Sequence, residues 1–118
     1  MQFAVHRGAG HGRPALRVRG ELDIATVPQL AESVDAELAA GPRSLVIDLT
    51  DTTFLDSSGA RQLVRSARRA AAAGTSLQVV CPRDNKAVRL VIDLLELQRL
   101  VPVVEAASLT DGEVGSSG

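Results

Sequence analysis

Leu45-Val46-Ile47-Asp48-Leu49, then Phe54-Leu55-Asp56-Ser57-Ser58-Gly59, then the run from Ala60 to Ala73: this stretch decides the fold. Its first piece is short, apolar and rich in β-favouring side chains, the pattern of a buried strand. Its last piece repeats apolar residues at helical spacing and predicts a helix from about Ser57, stopped by Gly74. The middle piece hands a strand over to a helix N-terminus, with two serines at the junction. Amides there lack helical acceptors and the helix dipole favours negative charge, so the position suits a phosphate or a phosphorylated hydroxyl.

At about 100° per residue, Ala60, Leu63, Val64, Ala67, Ala70 and Ala71 gather on one side of that helix. Ser58 projects to the other side, in line with Arg61, Gln62, Arg65 and Arg69. Ser57 projects beside Val64, near the apolar edge. The projection therefore predicts Ser58 as the exposed, modifiable hydroxyl. On the residues alone a second account stands beside it: Asp56 or Ser57 caps the helix, and Ser58 is an ordinary first-turn residue.

Working outward, the elements alternate. Gln2 to Arg7 reads as a strand around Phe3 and Val5. Gly8 to Pro14 is rich in breakers and predicts a loop too long for a two-residue turn. Ala15 to Arg19 sets Leu16 and Val18 against Arg17 and Arg19, which predicts an antiparallel pair with one buried and one wet face. A helix follows, with Thr26 and Gln29 as a capping box, Pro28 in the first turn, and Val27, Leu30, Ala31, Val34 and Leu38 inward. Gly41-Pro42 ends it. Leu77 to Val80 is the next strand. A third helix is predicted over about Asp84 to Leu95, with Ala87, Val88, Leu90, Val91, Leu94 and Leu95 inward. Val101 to Val104 is a last short strand.

Strand–helix–strand units give parallel pairs with right-handed crossovers. The expected fold class is therefore α/β: a small mixed β-sheet with helices packed mainly on one face. Residues 1–107 are expected to form one domain. Residues 108–118, polar and glycine-containing, are expected as a weakly helical or disordered tail.

Composition narrows the function. A chain of 118 residues can bury a single core. With no Trp or Tyr and two Phe, that core is aliphatic, and the stacking platforms of a single-strand nucleic-acid binder are missing. A net charge of −1 argues against direct nucleic-acid binding. The lone Cys81 ends an apolar run and is expected as a small buried residue. There is no metal-ligand spacing, no membrane-spanning run and no secretion signal, so a cytoplasmic protein without metal or cofactor is expected. No glycine-rich phosphate loop occurs, and Asp56 stands where a serine-hydrolase elbow needs glycine. The only histidines, His6 and His11, lie in the first strand and loop. The chain is expected to be a kinase substrate and not an enzyme.

Three pieces together carry a family resemblance: Gly20-Glu21-Leu22-Asp23, Leu45 to Leu49, and Phe54 to Gly59. From the first strand to about Val104 the chain resembles the STAS domain, in particular the bacterial anti-sigma factor antagonists. That resemblance implies phosphorylation of the second serine of the D-S-S-G segment, here Ser58, by an anti-sigma factor that is itself a GHKL-type serine kinase. It implies that Asp23 and Asp56 lie near the phosphosite, and that Asp23, Asp56, Ser57, Gly59 and Arg61 form the surface the kinase recognises. It further implies that the unphosphorylated protein docks on the anti-sigma factor and releases a sigma factor, and that a phosphatase resets the switch.

Two departures stand out. Ala60 occupies a position where the family often has a larger aliphatic residue, and the C-terminal helix is weak. Two alternatives use the same residues differently: a scaffold or transporter-associated STAS module without a phosphoswitch, and a small serine hydrolase acting through Ser58.

Overall fold

The computed structural model describes residues 2–10 and 13–106. Along them run β1 (Ala4–Gly10), β2 (Arg13–Leu22), α1 (Val27–Ala39), β3 (Ser44–Asp48), β4 (Thr52–Leu55), α2 (Ser57–Ala72), β5 (Ser76–Val80), α3 (Lys86–Leu94), a 3-10 turn (Leu97–Arg99) and β6 (Val103–Val104). The expected tail, Ser108 to Gly118, lies outside the described residues.

Among the described residues only β1 and β2 pair antiparallel; the other pairings are parallel, in the order β1-β2-β3-β5-β6 with β4 beside β2. Leu16, Val18 and Leu22 of β2, Leu45 and Ile47 of β3, and Leu77 and Val79 of β5 point to the same side. There Leu30, Val34, Ala60, Leu63, Ala70, Val88 and Ile92 of the helices close the core. Each fully buried aliphatic side chain contributes about 1.5–3 kcal/mol. Arg17, Arg19 and Glu21 alternate with the inward residues of β2 and are exposed, so the far side of β2 is wet, while Val46 of β3 and Val80 of β5 are buried on that face. Arg7, on the core side of β1, is exposed over most of its length and pairs with the buried carboxylate of Glu37 on α1.

The first connection is tighter than its composition predicts. The β1–β2 ladder runs on to Gly10 opposite Arg13, so only positions 11 and 12 join the strands. Pro14 is tolerated because pairing of β2 with β3 begins one residue later, at Ala15, so its missing N–H breaks no β3 ladder.

A further strand, β4, is absent from the sequence expectation. Thr52-Thr53-Phe54-Leu55 is too short to show a period. It is held by its neighbours: β3 pairs with β2 only over Ala15 to Arg17, and β4 takes up β2 again at Gly20 to Leu22, across a bulge between Gly20 and Glu21. Gly20 adopts φ +97°, and a Cβ there would stand 3.1 Å from the Phe3 Cα. The Thr52 hydroxyl donates to the Val18 carbonyl at 2.7 Å. Asn85, the N-cap of α3, donates from one nitrogen to the carbonyls of Leu49 (3.0 Å) and Thr52 (2.8 Å). Asn85→Ala is expected to cost about 1–2 kcal/mol by stranding these part-buried carbonyls, read as a lower urea midpoint at unchanged slope.

Helix α3 is rotated from expectation. Val88 and Ile92 enter the core, joined by Leu97, while Ala87 is exposed and Leu90, Leu94 and Leu95 are 58%, 71% and 47% exposed. Nine residues offer the sheet one i, i+4 row, and α3 has more apolar residues than that row can hide.

Candidate phosphorylation and docking site

The parallel β4 carries the chain along the end of β2 and delivers Asp56 beside Leu22, its amide 3.4 Å from the Leu22 carbonyl. Asp56 is extended, at φ −112° and ψ −173°, and caps α2 by accepting from the Gly59 amide at 2.9 Å. The cap is thus Asp56 and not Ser57. Ser57, Ser58 and Gly59 form the first helical residues, where amides have no carbonyl a turn below them.

Gly59 is buried. A Cβ on it would lie 2.5 Å from the Leu22 carbonyl oxygen and 2.6 Å from Leu55 Cδ1. The close seating of α2 on β2 therefore depends on the missing side chain. Gly59 sets the height of the serines rather than forming contact surface itself.

Exposure of the two serines is the reverse of the helical projection: Ser57 is exposed and Ser58 half-buried. The buried stripe of α2 comprises Gly59, Ala60, Gln62, Leu63, Ser66 and Ala70, while Ala71 is exposed. α1 packs against α2 as the sheet does, so the covered face is wider than the apolar one and turned toward Gln62. Gln62 donates to the Ser66 hydroxyl at 3.2 Å, which satisfies two buried polar groups with each other. That i, i+4 pairing is the only sequence signal that could have placed Gln62 inside.

Ser58 remains at the surface. With Ile24 and Val27 from the start of α1, and Arg61, Gln62 and Arg65 from α2, it lines an open depression of about 160 Å³. Ser57 lines a second, larger one of about 390 Å³ between α2 and the segment after α3, and Arg61 borders both. Arg61, Arg65 and Arg68 form no ion pair among the described residues, whereas Arg69 holds Asp35 at 2.7 Å.

Asp23 lies one residue before Ile24. Its carboxylate accepts from the amides of Ala25 (3.0 Å) and Thr26 (3.2 Å). The Thr26 hydroxyl donates to the Glu21 carbonyl at 2.8 Å and accepts from the Asp23 amide at 2.9 Å, so the expected capping box with Gln29 does not form. Asp23 and Thr26 together lock the turn that carries Ile24. Both expected acidic recognition residues thus have a structural duty: Asp23 in this turn, Asp56 at the cap.

Ile24 was not expected at the site. It is 75% exposed, and Phe54 on β4 is 45% exposed. The signal for Ile24 was a solitary large apolar residue inside a polar turn.

Burial pushes the Cys81 thiol up from its ordinary value, and the residue sits in the core, as expected of a small buried side chain. Among the described residues no group of three or more His, Cys, Asp or Glu side chains is placed to hold a metal ion, and no helix is long and apolar enough to cross a membrane.

A half-wet sheet covered by three helices, with two serines at the N-terminus of the second helix, defines a class. The STAS domain model matches residues 5–108, and the chain belongs to that family. Its structure is similar to that of an anti-sigma factor antagonist from Mycobacterium paratuberculosis: 27% identity, TM-score 0.74, 91% of this chain and 89% of that one covered. A Thermotoga maritima protein described as an anti-sigma factor antagonist shares the fold at 23% identity and TM-score 0.79, over 93% of each chain. So does the anti-sigma factor antagonist SpoIIAA in its unphosphorylated form, at 20% identity and TM-score 0.65, over 94% of this chain and 96% of that one. No curated protein sequence matches the chain.

Proposed function

We propose that this protein is an anti-sigma factor antagonist switched by phosphorylation of Ser58. Unphosphorylated, it docks through the start of α2 and the Glu21–Thr26 turn onto a GHKL-type anti-sigma factor kinase, which then gives up its sigma factor. Phosphorylation ends that docking, and a phosphatase restores it. The protein acts by binding and catalyses no reaction of its own.

One observation carries this proposal. The Ser58 side chain lines an open depression at a capped helix N-terminus, with Arg61 and Arg65 on one side and exposed Ile24 on the other. The kinase supplies the base and the nucleotide; this chain supplies only the acceptor oxygen. Ser58 Oγ would attack the γ-phosphorus of ATP, its proton passing to the kinase as ADP leaves. The likeness to the Mycobacterium paratuberculosis antagonist supports the partner class, and a relative named for its unphosphorylated form supports a phosphoswitch.

Incubation with a GHKL-type anti-sigma factor kinase that binds this protein, and with ATP, is expected to add one phosphate that peptide mapping places on Ser58. Ser57→Ala is expected to accept phosphate normally and Ser58→Ala to accept none. Because Ser57 is the more exposed hydroxyl, a phosphate mapped to Ser57 would overturn the assignment.

A further inference from the structure

The surface around Ser58 does not absorb every unexplained feature of the molecule. Leu90, Leu94, Leu95 and Leu100, within or just after α3, are all about half exposed or more. Leu95 and Leu100 face Val64 and Ala60 across the larger depression between α2 and the end of α3. Its polar lining is Ser57, Arg61 and Arg68, with no carboxylate. Both arginines are exposed and lack an ion pair among the described residues, while five others in the molecule (Arg7, Arg17, Arg69, Arg83 and Arg99) each hold a carboxylate. An apolar floor with an uncompensated cationic rim asks for the opposite arrangement in its occupant.

We infer that the α2–α3 groove is a second docking surface, which takes a helix of the anti-sigma factor bearing an apolar stripe bordered by Asp or Glu. This rests on the proposed function, because the partner is the one assigned there. Charge complementarity selects the occupant. Continuity supports it: Arg61 borders this groove and the Ser58 depression alike, so one partner can cover both. The shared arginine also couples them. A phosphate on Ser58, one turn below Arg61, would draw its guanidinium away from the groove rim.

The test is titration of the purified anti-sigma factor against wild type, Arg68→Glu, Leu100→Asp, Ser58→Asp and the charge-matched control Arg43→Glu, on the α1–β3 connection. Both groove variants change exposed side chains, and circular dichroism checks that they fold. The expected result is an affinity loss of roughly tenfold or more for Arg68→Glu and for Leu100→Asp, with Arg43→Glu unchanged. The salt dependence of binding should be shallower for Arg68→Glu than for wild type. Wild-type affinity in both groove variants, with Ser58→Asp impaired, would overturn the groove and leave the phosphoswitch standing. Failure of the wild type itself to bind would overturn both. Wild-type sedimentation as a dimer that Leu100→Asp dissolves would assign the groove to a second copy of this chain and overturn the inference.

Discussion

Stoichiometric phosphorylation of Ser58 is expected to weaken binding to the anti-sigma factor proposed above roughly a thousandfold, a loss of about 4 kcal/mol, and to leave the fold intact. The two halves of this outcome come from different surroundings of the same phosphate. Within the free protein the group meets first-turn amides and two unpaired arginines, Arg61 and Arg65, and no carboxylate lines its depression. A negative group at a helix N-terminus is favoured by about 0.3–2 kcal/mol, and the carboxylate of Asp56 is engaged by the Gly59 amide. The thermal midpoint is therefore expected to stay within a few degrees, roughly the shift that 1 kcal/mol produces in a domain of this size.

In the complex the same group, carrying about 1.5–2 negative charges, loses its water. Burying it against a surface that supplies no further cation costs several kcal/mol, and an Arg61 drawn to the phosphate is withdrawn from the partner. The interface penalty exceeds the gain at the helix end, so partner release needs no refolding. Isothermal titration of phosphorylated and unphosphorylated protein measures the difference. Ser58→Ala should bind persistently, and Ser58→Asp, with less charge, should be impaired in the same direction. Equal affinities for all of these would remove the switch.

Gly59→Val is expected to destabilise the protein by roughly 3 kcal/mol or more, and to lose partner binding although neither serine is touched. A valine Cβ would start 2.5 Å from a backbone oxygen, that of Leu22, and 2.6 Å from the Leu55 side chain. The Leu55 side chain can turn aside; the Leu22 carbonyl is backbone of a strand paired with β4 at that residue. The first turn of α2 must lift instead, which breaks the Asp56 cap and displaces Ser58 from the Glu21–Thr26 turn. Chemical denaturation gives the stability and titration gives the binding. A variant as stable as wild type would show that α2 can rise without cost.

The mixed sheet and the one-sided helical layer were legible because β2, β3 and β5 carry aliphatic rows, and because Gly and Pro punctuate the chain between them. Less legible was whatever depended on a neighbour. β4 is four residues long and owes its conformation to the free end of β2. The inward face of α2 includes Gln62 and Ser66 because α1 presses on that side. The leucines of α3 outnumber the places available for them.

At the proposed site, the D-S-S-G segment marked the start of α2. The ranking of the two hydroxyls followed helical projection, which treats a helix as having one partner; α2 has two. The resemblance read Asp23 and Asp56 for charge; the capping account of the same residues is the one their carboxylates fulfil, by holding backbone amides. Ile24, which completes the depression beside Ser58, has no periodicity to report it.

One consequence follows from the pairing of Arg7 with Glu37. β1 is the long outer strand of the sheet, the place where another molecule could zip on and seed a fibre. Any strand added there would lie against a guanidinium projecting on the core side and anchored to a buried acid, an arrangement that deters such growth. At the opposite margin β6 offers only two residues, Val103 and Val104. The sheet is thereby discouraged from extending at either margin, which suits the partner exchange proposed above.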